Sequence, residues 1–143
     1  MDPSVTETYP TSLFVRLTVG RLDASVAWYR AVGFQTVSES PKMAHLRYRA
    51  DADVMLVSGT TGTPRGSGVA VYLTLDGESV DDVAERVADA AVSGGEGPYE
   101  TSWNTRELVL TDPDGYRLVF SEVVDADRSV DDAADSNRED RRV

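Results

Sequence analysis

The chain has 143 residues, no cysteine and a formal net charge of −11 at pH 7. This length suits one domain with a substantial core, or two small halves that share one, and excludes two large independent domains. The lack of cysteine excludes disulfides, thiolate metal sites and cysteine nucleophiles. No apolar run approaches the length that crosses a bilayer, and the first residues lack the basic and apolar segments of a signal peptide, so we expect a cytoplasmic protein.

The basic residues are unusual in kind as well as in number, since the 14 of them comprise arginines and Lys42 alone. An acidic surface repels nucleic acid and anionic membranes, because binding to either depends on clustered Lys and Arg, and we expect neither as a partner. An acid-rich, lysine-poor composition is typical of proteins from halophilic archaea, where salt screens the repulsion between carboxylates. The alternative is an ordinary acidic protein from a mesophile.

The first half of the chain reads as a strand, a helix and three further strands. Apolar residues alternate over 12–19, which predicts a strand with one apolar face. A helix of about ten residues follows, with Asp23 as its predicted N-cap and Gly33 as its end. The three further strands are predicted around Gln35–Glu39, Ala44–Arg49 and Val54–Val57.

The same order of elements returns after residues 59–68, "GTTGTPRGSG", whose composition predicts a flexible linker. Ser79 and Asp82 have the spacing of a capping box at the start of a helix predicted to extend to Val92, with Val80, Val83, Val87 and Ala91 on its buried stripe. An Asp-Pro-Asp-Gly turn joins the last two strands. The strands of this half are predicted at Val69–Leu75, Tyr99–Trp103, Glu107–Thr111 and Tyr116–Glu122.

These patterns predict an α+β domain over residues 12–124, built from two βαβββ modules, about 12–58 and about 69–124. Residues 1–11 are predicted to form a flexible N-terminus. Residues 125–143 have almost no large apolar side chains, so burial cannot offset the entropy of ordering them. We therefore expect a disordered acidic tail.

Two segments resemble a known family. In the segment that begins with the first strand, the resemblance rests on Leu22, Asp23, Ser25, Trp28, Tyr29, Gly33 and Phe34. With "DPDGYRLVF" near the other end, they resemble signatures of the vicinal oxygen chelate (VOC) superfamily, which includes glyoxalases, bleomycin resistance proteins and extradiol dioxygenases. The resemblance covers about Leu13 to Glu122. It implies a curved mixed sheet with helices on the outer faces, and it implies a homodimer.

The resemblance also implies four positions at which metal-using members bind a divalent ion. They fall on Phe14, Met55, Ala70 and Val119, with Val69 as the alternative on the fifth strand. Phe, Ala and Val offer no lone pair, and a thioether is a poor ligand for the relevant metals. We therefore expect no metal and no other cofactor.

Strand parity places the same four residues on the faces that line a cavity, opposite the helix-covered faces of Leu17, Leu56, Leu73 and Leu118. Arg16 and Arg117 are candidates to donate to a carboxylate or phosphate, and Tyr72 and Trp103 to stack on a planar ligand. Alternatively, both arginines pair with acids such as Glu107 or Glu122 and the aromatic rings fill the space. The predicted cavity consists of Phe14, Arg16, Thr18, Met55, Val57, Ala70, Tyr72, Thr74, Trp103, Arg117, Val119 and Ser121.

The first functional hypothesis is a metal-free glyoxalase/bleomycin-resistance-like protein that binds a small organic molecule for sequestration or sensing. A second is a lyase, isomerase or dioxygenase with a relocated or absent metal site, for which His45, Glu107 and Glu122 are the candidates. A third is a fold retained for protein interaction. The sole histidine, His45, is predicted to be a surface or rim residue.

Overall fold

The computed structural model describes residues 13–60, 66, 68–125 and 127. Residues 1–11 and most of the predicted acidic tail lie outside the described residues, as does most of the predicted linker. The described elements are β1 (Phe14–Val19), α1 (Leu22–Val32), β2 (Gln35–Ser40), β3 (Met43–Tyr48), β4 (Ala52–Ser58), β5 (Ala70–Thr74), α2 (Val80–Asp89), β6 (Gly95–Glu100), β7 (Thr105–Thr111) and β8 (Arg117–Val123). Among the described residues, no helix has the length and apolar character needed to span a membrane.

The strands form two four-stranded sheets with the same topology. Sheet A has the order β1-β4-β3-β2, and sheet B has the order β5-β8-β7-β6. In each sheet the first pair is parallel and the others are antiparallel. Each module is therefore a βαβββ unit, and the predicted α+β fold class is confirmed. Within the described residues, β1 and β5 are edge strands that each pair with one neighbour.

The helices begin and end for different local reasons. At α2 the predicted capping box is present, with Ser79 and Asp82 each accepting a hydrogen bond from the other's backbone N–H. At α1 the predicted cap is wrong, because the N-cap is Arg21 and no side chain caps this end. Asp23 lies inside the first turn, where a carboxylate still interacts favourably with the helix dipole. Gly33 ends α1 as predicted, with φ of 134°.

The second helix is shorter than predicted. It ends at Asp89, and Ala91 has a left-handed backbone with φ of 56°. Ala91 is therefore exposed instead of joining Val83 and Val87 on the buried stripe. The next strand begins earlier than predicted, at Gly95, and Trp103 lies in the β6–β7 hairpin loop rather than in a strand.

One hydrophobic core extends through both modules. Aromatic rings make a continuous series of edge contacts from Trp28 and Tyr29 in α1 through Phe34 and Tyr48 to Phe120 in β8. The Tyr48–Phe120 contact, with 5.3 Å between ring centroids, joins the first module to the second. The modules therefore share their buried side, which leaves the other face of each sheet for a different use.

Polar contacts reinforce this junction. The Tyr29 hydroxyl donates to Asp112 Oδ2 over 2.7 Å, and the Tyr116 hydroxyl donates to the Thr18 carbonyl over 2.9 Å. The Glu78 carboxylate accepts hydrogen bonds from Tyr48 and Arg49 of the first module and from Arg86 of the second. These bonds fix the orientation of the two modules, because buried polar groups left unpaired would be costly.

Candidate ligand-binding faces

Each sheet has one face that packs on a helix and one that does not. In sheet A the core residues Leu17, Leu46 and Leu56 face α1, and in sheet B Leu73, Leu108 and Leu118 face α2. We call the opposite sides open face A and open face B. Alternation and register give open face A Phe14, Arg16, Thr18, Met43, His45, Arg47, Asp53, Met55 and Val57. They give open face B Ala70, Tyr72, Thr74, Glu96, Tyr99, Thr105, Glu107, Val109, Thr111, Arg117, Val119, Ser121 and Val123.

The residues of the predicted cavity fall into two groups on these faces. On open face A, Arg16 lies opposite Met55 in the β1–β4 ladder, and Phe14 and Thr18 flank Arg16 along β1. On open face B the register pairs are Ala70 with Arg117, Tyr72 with Val119, and Thr74 with Ser121. Trp103 is 40% exposed in its hairpin loop. Whether both groups contact one ligand stays a prediction.

The interpretation of His45 as a surface or rim residue is wrong. His45 is only 4% exposed, and its Nε2 lies 2.7 Å from Asp53 Oδ2. The same carboxylate accepts from Arg47, from Nε over 2.6 Å and from a terminal nitrogen over 2.8 Å. Burial alone would raise the pKa of Asp53, but the hydrogen bonds from Arg47 and His45 outweigh it and lower the pKa. Open face A therefore contains a buried, ionised carboxylate whose negative charge is paired with the Arg47 guanidinium.

A pattern in the sequence could have revealed this cluster. His45 and Arg47 are two residues apart on β3, so they share a face. The tight turn at residues 49–51 pairs Arg47 directly with Asp53 across the β3–β4 hairpin. Cross-strand pairs of opposite charge stabilise a sheet. The sequence pattern does not specify the register of the β3–β4 hairpin, and that register is needed to predict the pairing of Arg47 with Asp53.

Open face B contains a second buried carboxylate with different surroundings. Glu107 is 3% exposed, and its Oε2 accepts from the Thr105 hydroxyl over 2.9 Å and from the Ser121 hydroxyl over 3.4 Å. Within the part of the chain that the structure describes, no arginine, lysine or histidine forms an ion pair with it. Nor do Arg16 and Arg117 pair with an acid there, so the alternative in which they bind Glu107 or Glu122 has no support.

The positions implied for a metal do not fit one. Phe14, Met55, Ala70 and Val119 supply at most a thioether, which suits hard and borderline cations poorly. Among the described residues, no group of three or more His, Asp and Glu side chains could hold a metal ion.

The candidates for a relocated site are also dispersed. His45 is in sheet A, and Glu107 is in sheet B. Glu122 lies on the helix-covered side of β8 and accepts from the Val80 backbone N–H over 3.1 Å. The structure therefore does not bring these three side chains together.

A cavity and a groove in the described structure are candidate sites for a ligand. A cavity of about 150 Å³ lies beside the edge strands β1 and β5 and is lined by residues of both modules. Phe14, Asp53 and Tyr72 come from the open faces, and Leu17, Leu73 and Leu118 come from the core side. A more open groove of about 590 Å³ runs between α1 and the β2–β3 turn, on the helix side. It is lined by Leu22, Asp23, Val26, Ala27, Arg30, Glu39, Ser40, Pro41, Ala44 and Ser58.

In each βαβββ module, one face of the sheet packs on a helix and the other face does not. Residues 12–120 match the Glyoxalase/Bleomycin resistance protein/Dioxygenase superfamily, and the chain belongs to this family. The predicted family resemblance is thereby confirmed. No curated protein matches the sequence.

Solved structures with the same fold include three whose names mention an antibiotic. A bleomycin-binding protein in complex with bleomycin is 21% identical, with a TM-score of 0.65 over 79% of this chain and 98% of that one. A bleomycin resistance determinant encoded on a transposon is 18% identical, with a TM-score of 0.68 over 80% and 98%. An antibiotic-binding protein, TnmS3 from Streptomyces sp. CB03234, is 23% identical, with a TM-score of 0.66 over 81% and 98%. At these identities the likeness shows the fold.

Proposed function

We propose that this protein is a cytoplasmic homodimer that binds a small organic molecule on its open faces, without a metal, and so sequesters or senses it. The observation that carries the proposal is that each sheet has a face that packs on no helix and carries a few polar groups. On these faces, the residues at the four metal positions implied by the family cannot act as metal ligands. Sites for small molecules are mostly apolar, with a few polar groups that fix orientation. The bleomycin-binding and antibiotic-binding proteins of the same fold support this use of the faces.

A dimer is supported by the edges of the two sheets. The large apolar residues exposed in and beside β1 and β5 are Leu13 at 74%, Phe14 at 43%, Val69 at 46% and Tyr72 at 60%. An unpaired edge strand with apolar side chains is a site for association with another chain. The cavity at these edges holds about 150 Å³, whereas pockets for drug-sized ligands hold roughly 300–1,000 Å³. A second copy placed on these edges would enlarge and close the site.

Sedimentation in molar potassium chloride tests the dimer. We expect one species at twice the 15.5 kDa chain mass. Tyr72→Glu should shift it to the monomer, because a charge at the interface is costly, whereas Ala88→Glu on the exposed side of α2 should not. A wild-type monomer at all concentrations would contradict the dimer.

Calorimetric titration tests ligand binding. We expect bleomycin, or another member of a panel of antibiotics and aromatic metabolites, to bind protein that has been treated with a chelator, and to raise its melting temperature. Phe14→Glu should weaken binding, since Phe14 lines the cavity at the sheet edges. A requirement for added metal, or failure of every compound, would contradict the proposal.

The proposed source is a halophilic archaeon, and the support is the net charge of −11 in 143 residues. Repulsion between carboxylates destabilises the folded state until salt screens it, since the Debye length falls from about 10 Å at 0.1 M to about 3 Å at 1 M. We expect the melting temperature to rise steadily with potassium chloride. A flat or falling dependence would contradict a halophilic origin.

A further inference from the structure

The two open faces differ in how their buried carboxylates are compensated. On open face A, Asp53 is paired with Arg47 and His45, so its charge is met within the chain. On open face B, the described residues that donate to Glu107 are two hydroxyls, and both act on Oε2. No described residue donates a hydrogen bond to Glu107 Oε1. A carboxylate withdrawn from water is stabilised chiefly by an opposite charge, so Glu107 lacks the partner that Asp53 has.

The basic residue on open face B is too distant to supply that partner. Arg117 lies opposite Thr111, whereas Glu107 lies opposite Ser121, four residues further along β8. At about 3.3 Å per residue, this places Arg117 roughly 13 Å away along the strand. Glu96, opposite Val109, adds a second carboxylate to this face. The local charge therefore favours a cation from outside the chain.

Two exposed tyrosines lie beside Glu107. Tyr99 is directly opposite Glu107 in the β6–β7 ladder and is 44% exposed. Tyr72, which is 60% exposed, lies opposite Val119 in the β5–β8 ladder. Val119 precedes Ser121 by two residues on β8, so the two side chains are neighbours on the same face. Partial desolvation raises the pKa of Tyr72, and the charge of Glu107 adds to this, as expected for neighbouring side chains. Aromatic rings with exposed faces attract both planar ligands and cations.

We propose that open face B recognises an organic cation with a flat apolar group, whose ammonium or amidinium group binds the Glu107 carboxylate while its ring packs on Tyr72 and Tyr99. The inference rests on the proposed small-molecule binding function and assigns its ligand class. The hydroxyls of Thr105 and Ser121 hold the carboxylate in place by occupying Oε2, which leaves Oε1 for the ligand. A ligand bound here would supply the positive charge that no described residue provides to Glu107.

Three indoles that share the ring and the two-carbon side chain but differ in the charge of the end group provide the test: tryptamine as the cation, 3-ethylindole as the neutral compound and indole-3-propionate as the anion. Affinities are measured by calorimetry with the full chain at pH 7 and fixed salt. We expect tryptamine to bind about tenfold or more tightly than the other two, the effect of one charge-assisted hydrogen bond. Glu107→Gln should remove this preference, because an amide keeps the shape but not the charge. Glu85→Gln, at an exposed position of α2, should retain it.

The outcomes separate this inference from the proposed function. Equal binding of the three indoles, a preference for the anion, or a tryptamine preference that survives in Glu107→Gln would overturn the cation site and leave small-molecule binding intact. Failure of tryptamine also overturns it, and if bleomycin and the wider panel fail too, the proposed function falls with it. The comparison of the three indoles on wild-type protein does not depend on whether the variant folds.

Discussion

Replacement of Glu78 by glutamine should destabilise the junction between the modules. The Glu78 side chain is only 5% exposed and lies just before α2. It accepts from the Tyr48 hydroxyl, from Arg49 over 2.6 Å and from Arg86 over 2.5 Å. Arg86 also donates to the Val32 carbonyl at the end of α1, over 2.9 Å. Glu78 thus connects the start of α2 to β3 and, through Arg86, to α1.

The expected loss follows from these contacts. Glutamine keeps one acceptor oxygen but removes the charge, so the Tyr48 bond loses its charge assistance, a loss of about 1 kcal/mol or more. The two arginines are 54% and 35% exposed, so each ion pair is discounted for solvent screening to about 0–1 kcal/mol. Together the free energy of unfolding should fall by about 2 kcal/mol. Glu85→Gln, on the exposed side of α2, should change it by less than about 0.5 kcal/mol.

Urea unfolding at fixed salt measures both variants, and its dependence on pH adds a second readout. Burial alone would raise the pKa of Glu78, but hydrogen bonds from Tyr48, Arg86 and Arg49 outweigh it and hold the pKa below the ordinary 4.5. A carboxyl with a lowered folded pKa contributes stability above its unfolded pKa and loses it as the pH falls through the folded value. The difference between wild type and Glu78→Gln should therefore be full at neutral pH and shrink below 4.5. Equal stability of Glu78→Gln and Glu85→Gln at neutral pH would refute this reasoning.

Three further changes test the core, a helix cap and a buried carboxyl. Phe120→Ala should lower the free energy of unfolding by about 3–5 kcal/mol in urea titrations, because the ring is fully buried, whereas Val124→Ala, at a residue 48% exposed, should have little effect. Ser79→Ala should cost about 1 kcal/mol by loss of the capping box, and Ser93→Ala, in an exposed loop, about zero in the same assay. Burial raises the pKa of Asp112, although Tyr29 and two backbone N–H groups donate hydrogen bonds to it. The protonated form of Asp112 therefore contributes stability that is lost as the pH rises through the folded pKa. The stability of Asp112→Asn relative to wild type should therefore improve between about pH 4 and pH 7, and a constant difference would contradict a raised pKa.

The cost of an uncompensated carboxylate also bears on the open faces. Glu107 is a buried acid whose Oε2 accepts from two hydroxyls, and no described basic residue forms an ion pair with it. Functional sites are where such locally unfavourable arrangements are retained, because a ligand supplies the missing interaction. The Asp53 carboxylate is instead paired with Arg47 and His45 of the same sheet, so we interpret it as a group that stabilises sheet A. The two modules have thus kept one fold but distribute charge differently.

The order of elements and the fold class could be predicted from the amino-acid sequence. Alternating residues in β1 and β8, the Ser79–Asp82 capping box and the stop at Gly33 are local features, and local geometry alone decides them. The parity of each strand likewise placed Leu17 and Leu118 in the core. The ends of elements were less secure, as Ala91 shows, because helix termini depend on neighbouring structure as well as on propensity.

Which charged side chains contact each other depends on how the strands pair in the folded protein. Nothing local to His45 indicates burial; its position beside Asp53 follows from the β3–β4 register, which depends on the turn at residues 49–51. The lack of an ion pair at Glu107 among the described residues follows from the lateral order β5-β8-β7-β6, which places hydroxyls and tyrosines, not arginines, around it. Both outcomes depend on which residues lie opposite each other on neighbouring strands, and the alternation of residues along one strand does not specify that pairing.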